Sequence, residues 1–281
     1  KLIAKSMVRL KKKKQIINFS IPKKAFHGYI SLDDNGLTYD NTYYFSIDER
    51  QKTKVTCIGE VTKNTFLSRI YTNNEFEYSN NTLAQLDYNQ LEEQDAIVLN
   101  ELEEIPQALQ TTLQSFVNKG GNLILIPSSK SNSSNLNTFT QKIGDIKFQS
   151  FSTNEKLITK IHFNHPVFKN VFENQISNFQ YPKTKTSCTI TSKSPAVLSY
   201  QDESPFLVSS VTGEGAVSVF SAALIIENSN FQQSPLIVPV LYQLAQSQEN
   251  VLSVVNDLAV ATPSSVTQRS KDLVITGQAK A

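Results

Sequence analysis

The sequence predicts an α/β protein: a mostly parallel sheet with helices on both faces, flanked by sandwich-like N-terminal strands and a β tail. Three observations carry this. Short apolar runs without alternation, "KVTCIG", "DAIVLNE" and "NLILIP", recur between residues 52 and 127, as strands buried on both faces do. Segments of helical periodicity lie between them. Before residue 50 the pattern is alternating and aromatic, with turn residues in place of helices.

The N-terminal stretch is read first. "RLKKKKQIINFSIP" ends in alternation, and Lys11 to Lys14 suit a solvated edge strand guarded against stray pairing. "AFHGYISLDD" and "TYYFSIDE" are strands, and "DDNG" is a turn. Three strands bury little by themselves, so they complete a sandwich with strands further upstream or pack on the rest of the chain.

From Lys52 the pattern changes. "KVTCIG" is a buried strand, and "NTFLSRIYT" a helix with Asn64 or Thr65 as its cap. "FEYSN" is a second strand, "LAQLDYNQLEEQ" a short helical segment and "DAIVLNE" a third strand. In "PQALQTTLQSFVNKGG", Pro106 suits the first helical turn, Leu109, Leu113, Phe116 and Val117 share a face, and Gly120 suits a left-handed stop. "NLILIP" is the fourth strand and "NLNTFTQKIG" a short helix. "KLITKIHF" is a strand, and "NHPVFKNVFENQ" a turn with an apolar-studded segment. Residues Ala196 to Leu224 form three β segments joined by "QDES" and "TGEG", the last two as a hairpin. "PLIVPVLYQLAQSQ" is a helix. From Val251 alternation returns, which suits strands that rejoin the N-terminal sheet or the start of a further domain.

Composition narrows the function classes. A net charge of +2 over 281 residues gives no basic footprint for nucleic acid. No apolar run reaches the roughly 18–20 residues of a membrane-spanning helix, and no signal peptide is visible. The chain opens at Lys1 within strand-like sequence, and it is read as a piece of a longer protein. Two distant cysteines, Cys57 and Cys188, make no zinc pattern. A disulfide between them stays open, although Cys57 sits in an apolar strand and reads as a buried thiol.

The chemistry-bearing residues are few. Ser128 and Ser129 follow the fourth strand, where several enzyme folds place a nucleophile. A serine there needs a positioned base, and the histidines are His27, His162 and His165. Of these, His165 is the one that could complete a hydrolase with Ser128 or Ser129. No glycine accompanies the serines to make a strained elbow. Glu101, Glu103 and Glu104 follow the third strand. Acids there suit acid/base or metal work, or the positive end of the following helix. The carboxyl end of a parallel sheet is the usual ligand edge, which nominates Glu60, Asn100, Glu101 and Ser128 as ligand-binding residues. "DDNG" with Asp40 lacks the spacing of a calcium loop. "TGEG" lies between strands and lacks the Lys-Ser/Thr of a phosphate loop. Neither metal nor cofactor is expected.

The stretches "DAIVLNELEEIPQALQTTLQSFVNKGGNLILIPS", "HPVFKNVFE" and "SPFLVSSVTGEGAVSVFSAALIIENSNFQQSPLIVPVLYQLA" resemble, in that order, the class I glutamine amidotransferase-like domain. They are most similar to the version within BatA-type, aerotolerance-related membrane proteins of Bacteroidetes-like bacteria. The upstream "SLDDNGLTYDNTYYFSI" resembles the end of the Ig-like β domain that precedes it. The resemblance implies an amidotransferase/flavodoxin-like sheet. It divides the chain into residues 1–50, the C-terminal part of the Ig-like domain, 52–248, the α/β domain, and 249–281, a β tail or the start of a further β domain. It also implies a von Willebrand factor A-like or similar region upstream, membrane anchors outside this stretch, and exposure on the periplasmic face of an inner membrane. Active members of the wider superfamily carry a cysteine at the elbow; here it is serine. The expectation is therefore a non-catalytic binding or scaffolding domain with an envelope or membrane protein as partner. The alternatives are an unusual serine hydrolase and a carbohydrate- or peptide-binding module.

Overall fold

The structure is a computed structural model that describes residues 2–7, 26–33, 41–47, 52–168, 180–246 and 264–266. "RLKKKKQIINFSIP", "NVFENQ", most of "DDNG", and "DLAVATP" and "DLVITG" of the tail lie outside the described residues. Chain contacts separate two compact units: residues 1–51 with 249–281, and residues 52–248.

In the first unit, β1 (Phe26–Ser31) pairs antiparallel with β2 (Thr42–Ile47), with Tyr29 opposite Tyr44. Their ring centroids lie 5.8 Å apart. Residues Ser264–Val266 of the tail run parallel to β2 and complete a three-stranded sheet.

The second unit is a mixed α/β fold. Its first strands are β3 (Thr53–Gly59), β4 (Phe76–Asn81), β5 (Ala96–Asn100) and β6 (Asn122–Ile126). Later come β8 (Lys156–Ile161), β9 (Lys183–Thr184), β11 (Ala196–Tyr200), β12 (Pro205–Thr212) and β13 (Gly215–Phe220). They form a nine-stranded sheet in the order β4-β3-β5-β6-β13-β12-β11-β8-β9. The pairings from β4 to β13 are parallel, and those beyond are antiparallel. The parallel expectation thus holds from β4 to β13, and the antiparallel pairings beyond make the sheet as a whole a mixed one. The cause is local: four- and two-residue connections, "QDES" and "TGEG" with its tip at Gly213, turn the chain straight back, which antiparallel strands alone permit.

The helices cover both faces. Leu67 and Ile70 of α1 (Thr65–Ile70) and Val240, Leu241 and Leu244 of α4 (Ile237–Ala245) pack on Val55, Val98 and Ile124. On the other face, Leu109, Leu113 and Phe116 of α2 (Gln107–Asn118) and Leu136, Phe139 and Ile143 of α3 (Ser133–Ile143) pack on Ile97, Leu99 and Leu125. Strands whose side chains enter a core on both sides cannot alternate apolar with polar, hence the continuous runs. The α2 stop is a Schellman turn. The Gly121 amide donates to the Phe116 carbonyl and the Gly120 amide to that of Val117, with Gly120 at φ 106°.

Two details differ from the sequence reading. "LAQLDYNQLEEQ" forms two 3-10 stretches, Leu83–Gln85 and Tyr88–Glu93. An unanticipated two-stranded sheet, β7 (Ile146–Ser152) with β10 (Ser187–Ser192), is antiparallel and adds Ile146, Phe148 and Ile190 to the α2/α3 side of the core. Both cysteines are free and buried. Cys57 packs on the α1/α4 side and Cys188 on the α2/α3 side, and burial pushes the Cys57 thiol up to about 12. Among the described residues, no helix is long and apolar enough to cross a membrane.

Candidate functional site at the carboxyl edge of the parallel strands

Strands β3, β5 and β6 run parallel and end side by side at Gly59, Asn100 and Ile126. On this edge the structure gathers Glu60, Asn100 and Glu101, and adds three residues that sequence reasoning did not nominate: Lys63, Asn64 and Asn80.

Glu60 begins a 3-10 turn, Val61–Asn64, in which the Lys63 amide donates to the Glu60 carbonyl. The turn brings the Lys63 ammonium to 3.3 Å from Glu60 and 3.8 Å from Glu101. The Thr62 hydroxyl also donates to Glu60 Oε1, at 2.7 Å. That bond, with Lys63, holds the Glu60 carboxyl below its ordinary range. Glu101 differs. Its side chain is 5% exposed and its backbone is left-handed, at φ 56°, a conformation that costs an L-residue about 1–2 kcal/mol. Its amide donates to the Ile126 carbonyl, and its Oε1 accepts from the Ile225 amide at 3.1 Å. Burial raises the Glu101 carboxyl; the Ile225 amide and Lys63 oppose the rise, while Glu227 and Glu60 add to it.

The same strand ends carry a row of carboxamides. Asn64, one of the two cap candidates, does occupy the N-cap position of α1, but its side chain makes no cap bond. Its Nδ2 donates to Asn80 Oδ1 at 2.8 Å, and its Oδ1 accepts from Asn100 Nδ2 at 2.6 Å. Asn100 Nδ2 also lies 3.4 Å from the Lys63 carbonyl. The buried Asn100 Oδ1 has no hydrogen-bond partner among the described residues. One signal of this row was legible: Asn100 follows Ala96 and Val98 on the inward register of β5, where an apolar side chain is the norm.

Ser128 lies beside this cluster in a turn closed on itself. Its hydroxyl accepts from the Lys130 amide at 3.2 Å, and its amide donates to Ser131 Oγ at 2.9 Å. The Ser131 hydroxyl in turn donates to the Leu102 carbonyl. Ser129 is exposed. No hydrogen bond joins either serine to an imidazole. His162 pairs with Ser199 at 3.1 Å, and His165 Nδ1 accepts from the Val167 amide at 3.3 Å. Both follow β8, four places from β6 in the sheet, roughly 19 Å away at the usual strand spacing. The pairing of Ser128 or Ser129 with His165 is therefore not assembled. His27 lies in the other unit, on the exposed face of β1.

Glu103 and Glu104 are exposed just before α2. Among the described residues no three His, Cys, Asp or Glu side chains are placed to hold a metal. A cleft lined by Glu92, Asp95, Phe116, Lys119 and Gly121 lies at the opposite, amino end of β5 and β6.

No family model matches the chain, and no curated protein does. Solved structures share its fold. "Cytoplasmic Protein STM3548" from Salmonella typhimurium aligns at a TM-score of 0.53 and 13% identity, over 79% of this chain and 95% of its own. "Cytoplasmic Protein STM1381" from Salmonella typhimurium LT2 gives 0.52 and 12%, with the same coverage. A β-galactosidase from Bacillus circulans sp. alkalophilus gives 0.48 and 11%, over 71% of this chain and 32% of its own. At these identities the likeness to the two Salmonella proteins is one of fold alone.

Proposed function

We propose that this chain is a non-catalytic binding or scaffolding domain from the extracytoplasmic part of a bacterial membrane protein, with an amidotransferase-like α/β unit of the BatA type and the end of a sandwich-like β domain before it. An envelope protein is its partner. The observation that carries the non-catalytic reading is the commitment of the Ser128 turn to its own loop. A nucleophile needs a base within about 3 Å, whereas the Ser128 hydroxyl is met by a backbone amide. The membrane and envelope assignment rests on the resemblance of the quoted stretches.

The test is labelling of the folded chain with a fluorophosphonate probe. No adduct on Ser128 or Ser129 is expected; a stoichiometric adduct abolished by His165→Ala would establish the hydrolase instead. Protease added to intact spheroplasts of the source bacterium should cleave this region in the parent protein, and full protection would overturn the periplasmic placement.

A further inference from the structure

We propose that His165 is an acid-sensitive latch: neutral, its imidazole caps the turn that sets Val167 and Phe168 into the core beside α4, and protonated, it lets that turn open. The inference goes beyond the binding reading above and does not depend on it.

The turn is built around one bond that only a neutral ring can make. β8 ends at Ile161, and the His162 amide continues its ladder by donating to the Val197 carbonyl. The chain then doubles back, and the His165 amide donates to the His162 carbonyl at 2.8 Å. Pro166–Phe168 follow as a 3-10 turn. Proline has no N–H, so the first amide the turn offers is that of Val167. It donates to His165 Nδ1 at 3.3 Å, while the Phe168 amide donates to the His165 carbonyl at 2.9 Å. His165 thus stands where Ser, Thr, Asn or Asp usually caps a helix. Those side chains keep their acceptor in mild acid. Imidazole Nδ1 accepts only while it carries no proton.

The turn carries two core side chains. Val167 and Phe168 are 4% and 3% exposed, in the same apolar cluster as Val240 and Leu241 of α4 and Val197 and Leu198 of β11. The turn itself packs on α4. The Phe168 ring also meets Phe163, with centroids 6.4 Å apart.

The surroundings favour the neutral ring. His165 is half-buried. Burial pulls its pKa below the ordinary 6.5, and His162 pulls it lower. Amides at the start of a helical turn also disfavour a cation. Among the described residues, no carboxylate is one of the groups that act on His165. His162 is exposed and shares a hydrogen bond with Ser199 at 3.1 Å. On β8, Lys156 and Lys160 are paired with Asp202 and Glu203. α4 offers the Tyr242 phenol, which is bonded to Glu75, and β11 that of Tyr200. Once protonated, the ring loses its bond to the Val167 amide and gains no counter-ion from these elements.

The test is amide hydrogen exchange of the full 281-residue chain. It is followed by NMR from about pH 7.5 to about 4.5, the range in which histidine titrates, and expressed as protection relative to an unstructured chain. Protection at Val167 and Phe168 should hold above pH 6.5, fall below it, and level once the folded ring has taken its proton. The fall should be roughly threefold to tenfold, the worth of one cap. Protection at Leu99 and Ile124, in the middle of the sheet, should not follow it. His165→Asn keeps an acceptor at the same place and does not titrate, so it should hold the neutral level throughout. His165→Ala should sit at the acid level at every pH; if it fails to fold, His165→Asn decides.

Constant protection at Val167 and Phe168 in the wild type overturns the proposal. So does a His165→Asn variant that falls as the wild type does, or a folded His165→Ala variant that keeps the neutral level. A parallel fall at Leu99 and Ile124 overturns it too, because the whole sheet would then be weakening.

Discussion

Gly59 and Asn100 face each other at the ends of β3 and β5 so closely that a Cβ on the glycine would stand 2.4 Å from the asparagine carbonyl oxygen. That oxygen belongs to a strand buried on both faces and cannot step aside as a flexible side chain could. The close approach seats the Asn64–Asn100 carboxamide pair between the two strand ends. Gly59→Ala should therefore destabilise the fold by about 1–3 kcal/mol, the usual cost of overpacking. Urea unfolding would show a lower midpoint with an unchanged slope.

Glu101 should give the protein a pH dependence of its own. Its ordinary pKa is 4.5, and burial raises it in the folded chain. Below the ordinary value both the folded and unfolded chains hold the proton. As pH rises, the unfolded chain releases it first, and the enclosed carboxyl keeps it until the pH passes the raised value. Stability contributed by this group falls across that window and is level above it. Glu101→Gln should gain on the wild type through that window, as read by chemical denaturation at a series of pH values. A constant difference between the two would sink the assignment.

Tyr200, Ser221 and Thr184 join their hydroxyls in the core. Tyr200 Oη lies 2.9 Å from Ser221 Oγ and accepts from Thr184 at 3.3 Å. Tyr200→Phe should cost about 1–2 kcal/mol, because it strands two buried hydroxyls. Adding Ser221→Ala should cost less than the two single changes summed. Strict additivity in equilibrium unfolding would mean the hydroxyls act independently.

At the start of α3, Asn132 Oδ1 accepts from the amides of Ser134 and Asn135 at 3.0 and 3.3 Å. Asn132→Ala should lower stability by about 1 kcal/mol, and Asn132→Asp should restore most of it. The ranking in thermal melts is the check.

Much of the frame was legible because it is local. The runs at "KVTCIG", "DAIVLNE" and "NLILIP" became parallel strands, since burial on both faces leaves a continuous apolar imprint. Leu109, Leu113 and Phe116 marked α2 through their spacing alone. The parts that stayed hidden depend on distant partners. β7 holds alternating Ile146 and Phe148, but "IKFQSFS" is short, and only the α3 face gives it a purpose. The stretch around Leu91 is helical as its periodicity suggests, but it winds as a 3-10 rather than an α-helix. At the site, Glu60, Asn100 and Glu101 were reachable by asking where strands end. Lys63 was not, because its role depends on a turn whose shape the sequence does not advertise. Ser128 follows a strand end as a nucleophile would, but its hydroxyl accepts from the Lys130 amide, a local bond its position in the sequence does not reveal.

The place where β6 meets β13 also governs how the molecule must assemble. Asn122 pairs with Ala216 across everything from α3 to β12. The pairings on either side, β3 with β4 or β12 with β13, join near neighbours in sequence. Loop closure over so long a span is entropically slow, and rates fall as contacts become less local. The halves on either side rest on shorter-range pairings, so the seam is expected to close after them. Until it does, Leu123, Leu125, Val217 and Val219 stand open to water along the middle of the unfinished protein. The interval before the seam shuts is when a growing chain is most exposed to its neighbours.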